Sequence, residues 1–193
     1  MSWEEAVMDI VKKSLSGEGG HDYEHTLRVY SLCVKLAELE GADVEILKAA
    51  SLLHDIARPL EKTESISHSV IGAEIARDIL KQTGFPETKI EKVCKVIRTH
   101  RFSEGEEAQE IEEKILQDSD RLDAMGAIGI ARAFMFGGKN GRSLKETLEH
   151  FHYKLLRLRE KMYTSSAYNI SIRRHEFMEK FLERLQKEME GEE

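Results

Sequence analysis

Four of the eight histidines fall in apolar stripes near the ends of helix-patterned segments. His25 lies four residues before Val29 and seven before Leu32, and His54 lies seven after Leu47. His68 lies four before Gly72 and seven before Ile75, and His100 lies three after Ile97 and seven after Val93. These spacings turn each imidazole toward the inward face of its helix. One histidine so placed is ordinarily a hydrogen-bonded core residue, but four joined by acids are hard to explain that way. Asp55 directly follows His54. A buried carboxylate is costly without a compensating cation, and a metal ion supplies one. Asp120 and Asp123, three apart, share a helix face with Leu116 and Ala127, while Asp118 points nearly the opposite way. Mixed His and Asp donors suit Mn²⁺, Fe²⁺, Ni²⁺, Co²⁺ or Zn²⁺ better than Ca²⁺, which prefers an all-oxygen shell.

Three arginines are placed to meet an anion: Arg28, one turn after His25; Arg58, just after the His-Asp pair; and Arg121. Arg58 is favoured, because Pro59 ends the helix there and holds it near the metal. The Arg173-Arg174-His175 cluster reads as helix surface. The formal charge of −7 disfavours an extended nucleic acid, whose binding needs a basic field. A small anionic substrate remains compatible, since a metal and a few arginines invert the field locally. No run reaches the roughly 18 apolar residues of a membrane span. The first fifteen residues lack the basic-then-apolar order of a signal peptide, so a cytoplasmic location is expected. Cys33 and Cys94 sit in apolar periodic segments with no CxxC or CxxH context and read as small buried hydrophobes.

The elements that must position these groups are helices throughout. Ser2 with Glu5 makes a capping box for a first helix ending before Gly17. Asp22 caps a second, which runs to about Glu40 with the stripe Val29, Leu32, Leu36 and Leu39 and stops at Gly41. Asp43 caps a third, with Leu47, Ala50 and Leu53 inward. A fourth starts near Ser67 and carries Gly72, Ile75 and Ile79; after the turn Gly84-Phe85-Pro86, a fifth carries Ile90, Val93 and Ile97. The acidic stretch Glu104 to Glu113 leads into a sixth, expected to continue through the segment from Ala124 to Ala133. Gly137, Gly138, Asn140 and Gly141 read as a connector loop and a candidate lid. Two helices follow, roughly Ser143 to Met162 and Ser171 to Met189, the latter with the stripe Met178, Leu182, Leu185 and Met189 and a frayed end from Gly191 to Glu193.

His25 in His-x-x-Arg-Val, Leu53-His54-Asp55-Ile56, and Asp120 in Asp-x-x-Asp-Ala together resemble the H…HD…D signature of the HD-domain superfamily. The segment QDSDRLDAMGAIGIARAF, Gln117 to Phe134, is similar to its small bacterial and archaeal hydrolases. The resemblance implies an all-α fold: a single HD-type domain over residues 1–193, with the signature region at about 21–134 and C-terminal helices at about 143–189 packed on it. It further implies His25, His54, Asp55 and Asp120 as ligands of one divalent metal ion, with Asp118 as the alternative for the last. Asp120 is preferred because the ligand in that superfamily stands before an x-Leu pair, as Asp120 does before Arg121-Leu122. His68 and His100 resemble histidines that bind a second metal, or in mononuclear members the substrate phosphate. The expected activity is metal-dependent hydrolysis of a small phosphomonoester or phosphodiester, such as a nucleotide. Asp55 would orient the attacking water, with Arg58 beside it, and Asp123 would orient a ligand or serve as general acid–base. A di-iron HD-type oxygenase and a non-catalytic nucleotide-binding module are the rival readings, the latter disfavoured because every signature position is filled.

Overall fold

The computed structural model describes residues 1–15, 22–60, 68–100 and 107–192, with only the backbone of His68. Among these residues the protein is all-α, with no strand. No helix is long and apolar enough to cross a membrane. The chain forms two compact units, Met1–Ser119 and Asp120–Glu193, and the division falls within one helix.

In the first unit the capping chemistry sets the helix starts. Helix α1 (Trp3–Ser14) opens on the Ser2–Glu5 capping box. Asp22 opens α2 (Tyr23–Glu40) by accepting from the His25 backbone N–H at 2.9 Å, and Gly41, at φ 71°, closes it. Asp43 opens α3 (Val44–Leu53) through the amides of Glu45 and Ile46. These caps satisfy backbone donors that the first turn of a helix leaves free, worth about 1 kcal/mol each. Helices α4 (His68–Thr83) and α5 (Glu87–Arg98) are joined by a turn at Gly84, φ 77°. Helix α6 (Ile111–Asp123) follows, its first turn tied to α5 by Lys92–Glu112 and Lys95–Glu113 ion pairs of 3.0 and 2.9 Å.

The packed faces differ from the expected stripes at two places. Leu39 is 59% exposed, whereas Val29, Leu36 and Ala37 are fully buried, so the core face of α2 runs through Ala37 rather than Leu39. In α4 the core residues are Ala73, Ala76 and Leu80, with Ile75 and Ile79 only half-buried. Small residues there let α4 lie close to α5. Cys33 and Cys94 are buried, as expected, and are not joined in a disulfide.

The second unit departs further. Helix α6 does not continue through the alanine- and glycine-rich segment. It ends at Asp123, Met125 is extended, and Gly126 takes φ 68° before α7 (Gly126–Lys139) begins. The break lets Met125 turn into a core with Ile130, Phe151, Met178 and Leu182. Gly137 and Gly138 belong to α7, so the expected 137–141 loop shrinks to the turn around Asn140 and Gly141. Gly137 is a packing residue: a Cβ there would stand 2.5 Å from Thr147 Oγ1. Helix α8 (Leu144–Tyr153) stops at Lys154, which is outside helical geometry, and a 3-10 segment, Leu155–Lys161, takes over. Thr164 caps α9 (Ser165–Glu190), starting it earlier than its apolar stripe suggested. Met189, at the far end of that stripe, is 54% exposed.

The α6–α7 break makes a testable demand on Gly129. A Cβ there would fall 2.3 Å from the carbonyl oxygen of Ala124. Alanine normally stabilises a helix interior by about 1 kcal/mol relative to glycine. Gly129→Ala should instead destabilise by about 2 kcal/mol or more, as backbone must shift to relieve the overlap. Gly138→Ala, with nothing within 4 Å of its Cβ, is the control and should be neutral or mildly stabilising. Thermal denaturation of the two variants checks the sign; equal melting temperatures would contradict the break.

Candidate metal centre

The HD pair sits where α3 runs out. His54 caps α3, and its Nδ1 lies 2.7 Å from the Ser51 carbonyl oxygen one turn back. A carbonyl only accepts, so Nδ1 carries the proton and Nε2 keeps its lone pair. The chain then turns, with the Arg58 amide donating to the Asp55 carbonyl at 2.9 Å. The Arg58 guanidinium returns to the same residue, Nε donating to Asp55 Oδ1 at 3.2 Å. His25, the third residue of α2, is brought to the same point by the Asp22 cap.

Three imidazoles surround the Asp55 carboxylate. Oδ2 lies 3.6 Å from His25 Nε2 and 3.5 Å from His54 Nε2, and these nitrogens are 3.4 Å apart. Oδ1 faces His100 Nε2 at 3.8 Å. His100 follows the last turn of α5, and its Nδ1 lies 2.5 Å from the Ile97 carbonyl oxygen, which likewise leaves Nε2 with its lone pair. All four side chains are buried. Electron-rich atoms thus converge in a region screened from water. One divalent cation among His25, His54 and Asp55 would satisfy those atoms together, whereas separate protons would place charged imidazoles in low dielectric. A ring nitrogen tied to a backbone carbonyl is also the usual support of a metal-binding histidine. The donor set fits a transition-metal ion.

The structure therefore brings together His25, His54, Asp55, Arg58 and His100 within the first unit. The side chain of His68 lies outside the described residues, although its backbone opens α4. Asp118, in the same unit, is fully buried, and Asp120 is half-buried at the start of the second unit. Asp123 is buried in the second unit and accepts from Arg132 at 2.5 Å. Arg121 donates to the Lys161 carbonyl at 2.9 Å and stacks over Tyr163. The Arg173–His175 cluster is not plain helix surface. Arg174 donates to the Leu122 carbonyl and packs on Gly126, and His175 is buried. Burial pushes the Arg174 guanidinium below its ordinary range, and the Asp123 charge pulls it back up. Sequence reasoning passed over Gln117, which is buried and donates to the Thr99 carbonyl at 2.6 Å. An amide flanked by Leu116 and Asp118 carries no periodic signal of such a role.

Known proteins share this architecture. The family model described as HD domain matches residues 22–125. YpgQ of Bacillus subtilis is 38% identical over 197 residues, covering 97% of this chain and 94% of its own. A crystal structure of YpgQ in complex with ADP superposes with a TM-score of 0.79 at 36% identity, over 94% of this chain and 97% of that one. An HD-superfamily hydrolase from Bacillus thuringiensis gives 0.78 at 35% identity, over 97% and 96% of the two chains. With its buried histidines and aspartate set at the ends of helices within the matched stretch, this chain belongs to the HD-domain family.

Proposed function

We propose that this protein is a metal-dependent phosphohydrolase whose substrate is a small phosphate ester, a nucleotide in particular. The observation that carries the reading is the meeting of His25 Nε2, His54 Nε2 and Asp55 Oδ2 within 3.4 to 3.6 Å of one another. Asp120 would be the fourth ligand, the role implied by its place before Arg121-Leu122 in the family signature. The nucleotide preference draws support from the ADP bound by the relative YpgQ.

A divalent transition-metal ion held there, Mn²⁺, Fe²⁺, Co²⁺, Ni²⁺ or Zn²⁺, supplies Lewis acidity that polarises a phosphoryl oxygen and activates water. Asp55, buried among the three imidazoles, would orient that water. Arg58, about one-fifth exposed and bonded to Asp55, would meet an incoming phosphate with its guanidinium charge. His100, across Asp55 from His25, would contact that phosphate or help to hold a second ion. Asp123, ion-paired with Arg132, is suited to orienting rather than to proton transfer.

The test is metal content of protein purified without added ions, followed by turnover on nucleoside mono-, di- and triphosphates, cyclic nucleotides and sugar phosphates. Hydrolysis should rise with Mn²⁺, Co²⁺ or Ni²⁺ and vanish with chelator. Metal-replete protein that cleaves none of these substrates would sink the proposal. The proximity of His100 to Asp55 also suits a di-iron oxygenase, which oxygen-dependent turnover of iron-loaded protein would reveal. Arg58→Ala should lower metal affinity or turnover about 10- to 100-fold, the usual penalty for losing a group that steadies a ligand. Unchanged values would leave Arg58 a surface residue.

A further inference from the structure

We infer that Gln117 is the positioning residue for His100, a reading that rests on the metal centre proposed above. The two residues are linked by one peptide unit. Its oxygen is the Thr99 carbonyl, which accepts from Gln117 Nε2 at 2.6 Å. Its N–H is that of His100, which donates to the Ile97 carbonyl at 3.3 Å. A peptide is planar, so holding both its ends fixes the backbone torsions on either side of it and with them the direction of the His100 side chain. The last carbonyls of a helix lack intrahelical partners, and Thr99 is the residue that caps α5. Without Gln117 this carbonyl would be a buried acceptor free to rotate toward another donor.

What the grip secures is the bond from His100 Nδ1 to the Ile97 oxygen, which in turn aims Nε2 at Asp55 Oδ1, 3.8 Å away. Gln117 itself is held in register by the Lys92–Glu112 and Lys95–Glu113 pairs, which lock the opening of α6 to α5. The end of α5 that bears His100 is therefore clamped to α6 by charge at one point and by the amide at another. The matching bond at His54, Nδ1 to the Ser51 carbonyl, belongs to α3 and not to the peptide that Gln117 holds.

Gln117→Met keeps the side-chain length and volume while removing the donor. In protein freed of metal, hydrogen exchange at the imidazole Nδ1–H of His100, assigned by its loss in His100→Ala, should quicken about tenfold as the local closure weakens. The corresponding His54 signal should not change. In the metal-loaded protein, kcat should fall about tenfold, within the range for groups that orient a site. Gln117→Met should lower kcat no further when His100 is already alanine. Unchanged His100 exchange overturns the inference, and so does equal quickening of both histidines, which would mark general loosening. Additive kcat losses in the double variant overturn it as well. Loss of the metal reading would look different: the wild-type protein would take up no metal, while the exchange result stood by itself.

Discussion

His54→Ala should leave the protein nearly free of metal and reduce its turnover by more than about 100-fold, since loss of a group that merely orients a ligand already costs 10- to 100-fold. His54 Nε2 is central to the cluster, 3.4 Å from His25 Nε2 and 3.5 Å from Asp55 Oδ2. The same substitution removes the Nδ1 bond to Ser51, which leaves a buried carbonyl less well satisfied at about 1–3 kcal/mol. Circular dichroism must therefore accompany the metal analysis, so that turnover is expressed per folded molecule. His25→Ala and Asp55→Ala should behave alike. Within the Asp-Ser-Asp run, Asp120→Asn should empty the site and Asp118→Asn should not. The reverse result would make Asp118 the ligand, and retention of metal by all of these variants would refute the centre.

Removing the metal from the wild-type protein should lower its melting temperature by about 8–16 °C. The ion binds the folded state through groups scattered over α2, α3 and the turn after it, which the unfolded chain does not gather. At a free metal concentration a thousand times the dissociation constant, linkage contributes about 4 kcal/mol. For a chain of this size each kcal/mol moves the transition by about 2–4 °C. Calorimetry with and without chelator measures the shift, and its disappearance in His54→Ala would tie it to this site. A wild-type protein indifferent to chelator, though shown to contain metal, would place the ion elsewhere.

Much of the helical frame was legible in the sequence because it rests on contacts within one turn. Ser2 with Glu5, Asp22 and Asp43 each satisfy amides two or three residues away, so residue type and spacing suffice to locate a helix start. The inward placement of His25, His54 and His100 followed from the same periodicity, and the HD signature implied that they would meet Asp55. Tertiary structure decided what lies beyond that range. The close of α6 at Asp123 depends on where Met125 finds its core, and the helical state of Gly137 on the approach of Thr147. The expected burial of Leu39 and Met189 failed: the core face of α2 runs through Ala37, and a stripe specifies a face but not how far along it the packing extends. Gln117 bonds a carbonyl eighteen residues away, and Arg174 one that is fifty-two residues away. Such pairs form only when folded helices bring distant backbone within about 3 Å, a distance that no spacing along the chain encodes.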